Sequence, residues 1–169
     1  MTYINEMHSP IGTLTIASDG VSITGLWMEG QKFFRAGLSA ENQDGSSIPA
    51  IQDTIRLLEQ FFQGKQTEFF NLPLNPQGTA FQKAVWHLLR QIPRGSTVTY
   101  GDIAAALEAT TGRRTAPRAV GNAVGRNPIS ILIPCHRVTG ADGSLTGYAG
   151  GLERKQFLLN LEKTKEPLG

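Results

Sequence analysis

Cysteine is nearly absent from this chain of 169 residues, with Cys135 standing alone. One thiol excludes an internal disulfide and the common multi-cysteine zinc sites. Long hydrophobic runs are missing too. The longest, Ile129 to Pro134, is interrupted by Ser130 and falls far below the ~20 residues needed to cross a bilayer. The opening Met1-Thr-Tyr-Ile-Asn-Glu6 lacks the basic start and apolar stretch of a signal peptide. Charge of one sign is scarce: 16 Lys and Arg face 14 Asp and Glu, for a net charge of +2. Taken whole, the chain is not strongly cationic. No internal repeat or low-complexity segment is present. What remains is 40% hydrophobic residues, enough for a packed core. A soluble, cytoplasmic protein in a reducing compartment is expected.

The charge is unevenly spread. Residues 1–78 carry four basic and eight acidic side chains, and the remainder twelve basic and six acidic. An acidic half thus precedes a basic one, and a basic half suits an anionic partner. In the first half, Gly12 to Ala17 alternates, Asp19-Gly20 turns the chain, and Val21 to Met28 alternates again, which predicts a β-hairpin. Ile51, Ile55, Leu58 and Phe62 recur at helical spacing behind Pro49, and Gly64 stops the helix. Phe69 to Leu74 reads as extended and runs into a Pro-rich link, Pro73 to Gly78.

These signals predict two domains, residues 1–77 and 78–169. The second opens on Thr79-Ala-Phe-Gln82, a capping box. A helical stripe follows through Phe81, Val85, Leu88 and Ile92. Another helix spans Tyr100 to Leu107, then a loop over 108–116, then a helix from Pro117 to Arg126 made almost wholly of small residues. The pair reads as a helix-turn-helix. The small side chains of its second helix are poor at reading base edges and suit close approach to a backbone. Ile129 to Ile133 is strand-like, Asp142-Gly143 is a turn, and Leu152 to Glu162 is a last helix.

Cys135 lies in Ile131-Leu-Ile-Pro-Cys-His-Arg-Val138. A free cysteine is commonly a small buried hydrophobe, but His136 beside it favours a nucleophile, because an imidazole can promote the thiolate. Neighbours on a strand face opposite ways, so direct contact needs a bend or a water. Pro134 makes such a break plausible. Glu162 is a candidate to orient His136.

The run Pro-Cys-His-Arg-Val at 134–138 resembles the acceptor-site motif of the O6-alkylguanine-DNA alkyltransferases, the methylated-DNA–protein-cysteine methyltransferases. The resemblance extends to Gly-Thr-Ala-Phe-Gln at 78–82, Tyr100, Arg118-Ala-Val-Gly121, Arg126-Asn-Pro128 and Gly147-Tyr-Ala-Gly-Gly151, and Ser9-Pro-Ile-Gly12 is similar to the N-terminal domain of bacterial members. It implies an α+β fold: a small α/β N-terminal domain with an antiparallel sheet and a helix, then a mainly helical, winged-helix-like C-terminal domain holding the helix-turn-helix. It implies repair by direct reversal, in which O6-alkylguanine (and O4-alkylthymine) is flipped from duplex DNA and the alkyl group passes irreversibly to Cys135.

By the same resemblance, His136 is the base, linked to the thiol through water and oriented by Glu162. Tyr100 assists the guanine leaving group, and Asn127 braces the turn. Val138, Tyr148, Ala149 and Gly150 line the guanine pocket. Arg118 fills the gap left by the flipped base, and Ala119, Gly121 and Asn122 approach the minor groove. The implied protein is a monomer that uses no cofactor or metal, so His8 and His87 are ordinary histidines.

This chain departs from the pattern in three places. Ala149 stands where some members carry Ser, the 110–115 segment looks long, and Pro117 replaces a typical Ala. Arg113 and Arg114 either contact phosphates or sit on a solvated loop. A lesion binder without transfer and a Cys-His thiol hydrolase are the competing classes. The acceptor position is Trp in the former, and Cys135 speaks against it.

Overall fold

The computed structural model describes residues 1–163; the last six residues of the expected second domain, 164–169, lie outside the described residues. The first half is built on the strands β1 (Tyr3–Met7), β2 (Leu14–Ser18), β3 (Ile23–Met28) and the short β4 (Gln43–Asp44), in the sheet order β3-β2-β1-β4. Three strands run antiparallel, with Leu14 opposite Met28 and Ile16 opposite Leu26, and β4 is added parallel to β1. The hairpin is the one that alternation predicts, shortened at one end. Val21 belongs to the turn, where the Asp19 carboxylate accepts from the backbone N–H of Val21 and Ser22 and Gly20 takes φ 102°. The central strand β2 is buried along its whole length, since both faces of the sheet are covered. Helix α1 (Pro49–Phe62) contributes Ile51, Leu58 and Phe61 to the same core as Leu14 and Ile16. On the opposite face Trp27 stands beside Thr15, and the Arg35 guanidinium reaches the Thr15 hydroxyl at 3.5 Å.

The second half carries α2 (Ala80–Leu89), β5 (Val98–Thr99), α3 (Tyr100–Thr111), α4 (Pro117–Gly125), β6 (Val138–Thr139) and α5 (Leu152–Glu162). Helices α2 and α3 both start in full capping boxes, Thr79 with Gln82 and Thr99 with Asp102. These satisfy backbone donors that a helix start otherwise leaves open. The stretch from 108 is not a loop. Helix α3 continues to Thr111, with the Thr110 and Thr111 hydroxyls bonded to the carbonyls of Ala106 and Leu107, and Gly112 ends it at φ 70°. Only residues 112–116 join α3 to α4, and the Glu108 carboxylate accepts from the Thr115 backbone N–H at 2.6 Å. The helix-turn-helix is therefore tighter than its sequence suggests. The Trp86 indole donates to the Ala123 carbonyl at 2.8 Å, pinning α2 to α4.

Two stretches read as extended are mainly turns. Residues 129–133 form no strand, and residues 70–72 turn before Leu74 makes an isolated bridge to Ile23. Both segments close the free edge of β3. The backbone of Ile23 exchanges hydrogen bonds with Pro73 and Asn75, and that of Leu26 with Pro128 and Ser130. An uncovered edge presents unpaired backbone groups, and here the cover comes from the link at 73–75 and from residues 128–130 of the second half. One hydrophobic cluster consequently runs through both halves, from Leu14 and Leu26 to Ile133 and Leu158.

Candidate active site

The segment from Asn127 to Arg137 is a largely buried, side-chain-braced turn. The Asn127 amide donates to the Ile133 carbonyl at 2.8 Å, and its oxygen accepts from the Ile129 N–H at 2.9 Å. One side chain thus ties both ends of the turn and takes the place of the ladder that a strand would have used. Ile131 sits inside it at φ 70°, a costly conformation for a β-branched residue, held by its surroundings. Pro134 leads into a single turn of 3-10 helix, Cys135–Arg137, with all three residues buried. Neighbouring side chains fan around that turn rather than alternating across a strand, which is the break that Pro134 suggests.

His136 points away from solvent toward α5. Its Nε2 lies 2.9 Å from Glu162 Oε2, and both side chains are fully buried. Glu162 is held further by Arg137, whose Nε donates to its carboxylate at 3.0 and 3.1 Å and whose Nη2 donates to Oε2. Arg137 Nη1 donates to the Ile92 carbonyl at 2.7 Å. Burial alone would raise the Glu162 carboxyl, but the His136 and Arg137 bonds outweigh it and hold it at about 2. Burial also lowers His136, against the pull of Glu162. The histidine is therefore neutral, and its buried Nδ1 has no protein partner. A neutral imidazole can take a proton, whereas an imidazolium cannot. Burial pushes the Cys135 thiol up, opposed by a hydrogen bond from Asn127 and the charge of Lys155. The Tyr148 phenol is also driven well above its ordinary range, first by burial and then by Cys135 beside it.

A cleft of about 820 Å³ opens between α4 and the loop before α5. Tyr100, Ala119, Gly121, Asn122, Tyr148 and Ala149 line it, so six residues singled out from the sequence meet in one place. Gly121 approaches the Tyr100 ring, where a Cβ would lie 3.8 Å from two ring carbons. The Tyr100 hydroxyl donates to the Thr146 carbonyl at 3.4 Å, a long bond that a better acceptor can displace. Cys135 does not line the cleft. Val138 does not either: it is fully buried in β6, paired with Val98. Gly150 packs on Met28, whose sulfur would be 2.7 Å from a Cβ there. Arg118, Arg113 and Arg114 are exposed at and before the start of α4. Among the described residues no cluster of His, Cys, Asp and Glu could hold a metal ion; the His8 and His87 rings contact Thr13 and Gln91.

Three contributions escape a sequence reading. Arg137 is one of twelve basic residues in its half and nothing local marks it as buried. Lys155, on α5, is fully buried as well. Lys32 and Phe33 bring the first half into the cleft wall: the Lys32 backbone N–H donates to the Ala149 carbonyl at 2.9 Å, and the Arg126 guanidinium stacks 3.9 Å above the Phe33 ring. Such pairings across more than ninety residues leave no short-range pattern.

The fold and site together define a helix-turn-helix protein with a buried thiol on the turn that follows α4. Residues 80–164 match the 6-O-methylguanine DNA methyltransferase DNA-binding domain, and residues 2–76 match the ribonuclease-like domain of the same proteins. A methylated-DNA–protein-cysteine methyltransferase of Haemophilus influenzae is 46% identical, over 95% of this chain and 86% of its own length. One from Methanosarcina barkeri is 42% identical over 95% and 97%. The crystal structure of Mycobacterium tuberculosis O6-methylguanine methyltransferase superposes with a TM-score of 0.84 at 41% identity, covering all of this chain and 97% of that one. The same organism's protein in complex with DNA gives 0.82 at 43% identity, covering 95% and 92%. The chain belongs to the 6-O-methylguanine DNA methyltransferase family.

Proposed function

We propose that this protein repairs DNA by direct reversal, taking the alkyl group from O6 of guanine onto Cys135 in a single, irreversible turnover. The observation that carries this reading is the position of Cys135. The chain's only sulfur nucleophile lies on a braced turn, next to a neutral His136 and in contact with Tyr148, which lines the cleft beside α4. The exposed, small-residue face of α4 approaches the minor groove, where backbone contacts dominate. A base inside a duplex is unreachable, so the damaged guanine swings into the cleft and Arg118 fills the gap it leaves.

Attack on an sp³ carbon is an in-line displacement. His136 takes the thiol proton through a water at Nδ1, and the Glu162 carboxylate steadies the imidazolium that results. The thiolate forms the S–C bond while the O6–C bond breaks, its electron pair passing to the guanine. Tyr100 turns its hydroxyl from Thr146 to the base, which gains one proton as the thiol has lost one. Backbone N–H groups near Ala149 stabilise the developing charge and need no side-chain hydroxyl. Val138 and Gly150 shape the pocket from behind. The protein acts as a monomer, without a cofactor, in the cytoplasm, and O4-alkylthymine is a second substrate. Cys135→Ser tests the assignment: it abolishes transfer while binding to methylated duplex persists. Methyl transfer by that variant overturns the reading.

A further inference from the structure

Gln31 has no role in the steps above, yet this polar side chain of the first half is only 7% exposed. Its amide closes on its own segment. Oε1 accepts from the Met28 backbone N–H at 2.7 Å, and Nε2 donates to the Lys32 carbonyl at 3.1 Å. The Gln31 backbone N–H adds a third bond, to the Met28 carbonyl at 3.1 Å. One side chain thus locks the turn from Met28 to Lys32 from within, and an amide bonded at both ends has a single orientation.

That turn grips the loop before α5. The Lys32 N–H donates to the Ala149 carbonyl at 2.9 Å. The Met28 sulfur stands so close to Gly150 that a Cβ there would lie 2.7 Å from it. The Glu29 carbonyl accepts from Arg154 Nη2, in the first turn of α5, at 2.8 Å. Three of the five residues from Gly147 to Gly151 are glycine. Such a loop has few side chains of its own to pack and much backbone entropy to lose on ordering. Within it the Gly151 N–H bonds the Tyr148 carbonyl at 2.9 Å, which shapes the turn, while the contacts from 28–32 place it. Tyr148 and Ala149 line the cleft, so that placement decides where the ring and the backbone donors meet an incoming base.

We propose that Gln31 is a positioning residue for alkyl transfer: by locking the 28–32 turn it holds Tyr148–Gly151 at the cleft, and so sets the rate of the chemical step once the duplex is bound. The inference rests on Cys135 being the acceptor. In Gln31→Ala the Met28 N–H and the Lys32 carbonyl lose their partners, and Lys32 no longer offers its N–H to Ala149 from one fixed place. The loop then spreads over several positions, and a misplacement of about 1 Å is enough for a hundredfold loss of rate. Arg118 and the exposed face of α4 belong to another element and keep their place, so the duplex still binds.

A protein that reacts once separates positioning from folding. The burst amplitude counts competent molecules, and the rate constant reports how well each is arranged. Single-turnover transfer from saturating methylated duplex is measured for wild type and Gln31→Ala, with the methyl located by peptide mapping and duplex affinity measured in the Cys135→Ser background. The expected result is full amplitude and unchanged affinity, with a rate constant lower by about ten- to a hundredfold. Amide hydrogen exchange at Lys32 quickens in the same variant. An unchanged rate constant, whether the amplitude is full or reduced, overturns the inference. So does a slower rate with Lys32 exchange unaltered. A wild-type methyl found elsewhere than Cys135 overturns the acceptor reading and this inference with it. Should Gln31→Ala fail to fold, Gln31→Glu is read in the same way, since it keeps the acceptor for Met28 and loses the donor for Lys32.

Discussion

Glu162→Gln removes the charge on which two buried groups depend. The glutamate side chain is fully buried, and its Arg137 partner is 9% exposed. Truncating one side of such a pair costs about 3–5 kcal/mol, because the other charge is left buried and unmatched. A second route gives a similar size. The Glu162 carboxyl is held at about 2 in the folded protein against an ordinary 4.5, a gap worth about 3 kcal/mol. The sign follows from the direction of the shift. A folded-state value below the unfolded one stabilises the fold fully above the ordinary glutamate range, and that contribution is lost as pH falls through about 2. Urea denaturation near neutral pH should show the loss, and thermal melting should fall by about 10 °C, at roughly 2–4 °C per kcal/mol for a chain of this size. The difference between the two proteins should shrink as the pH is lowered from about 4.5 toward 2. Arg137→Met combined with Glu162→Leu should be milder than Glu162→Gln alone, since it removes both charges. A loss under about 1 kcal/mol, or a difference unchanged across the acid range, would refute the reasoning.

Asn127→Ala strands the Ile133 carbonyl and the Ile129 N–H together, so it should cost about 2–4 kcal/mol by urea denaturation and slow alkyl transfer. Stability close to wild type would mean that the turn holds itself. Arg118→Ala should slow repair in duplex DNA far more than reaction with free O6-methylguanine base, because only the duplex has a gap to fill. Equal losses in single-turnover assays on both substrates would remove its role as a finger.

Much of this architecture can be read from local pattern. The Thr79 capping box, the Pro49 and Pro117 helix starts and the Asp19-Gly20 turn are all short-range signals, and each stands where it is expected. Readings fail where long-range partners decide the conformation. Ile129 to Ile133 has the composition of a strand, but Asn127 and Leu26 take its backbone groups and bend it into a turn. The strands β1 and β4, at one side of the sheet, give too little alternation to be seen alone. Helix α3 outruns its apolar stripe because threonine hydroxyls and Gly112 finish it. In the site, Cys135, His136 and Tyr100 stand out by chemistry and resemblance, and the structure bonds His136 to Glu162. Arg137 and Lys155 do not stand out, because burial of a cation is decided by what packs around it.

The central claim is that one thiol takes one alkyl group and keeps it. Intact mass spectrometry, after incubation with an excess of duplex carrying O6-methylguanine, tests this most directly. The predicted result is a stable gain of a single methyl per protein, mapped to Cys135, with repaired guanine equal to the protein added. An unchanged mass with the duplex still bound, or repair continuing beyond one equivalent, would contradict it.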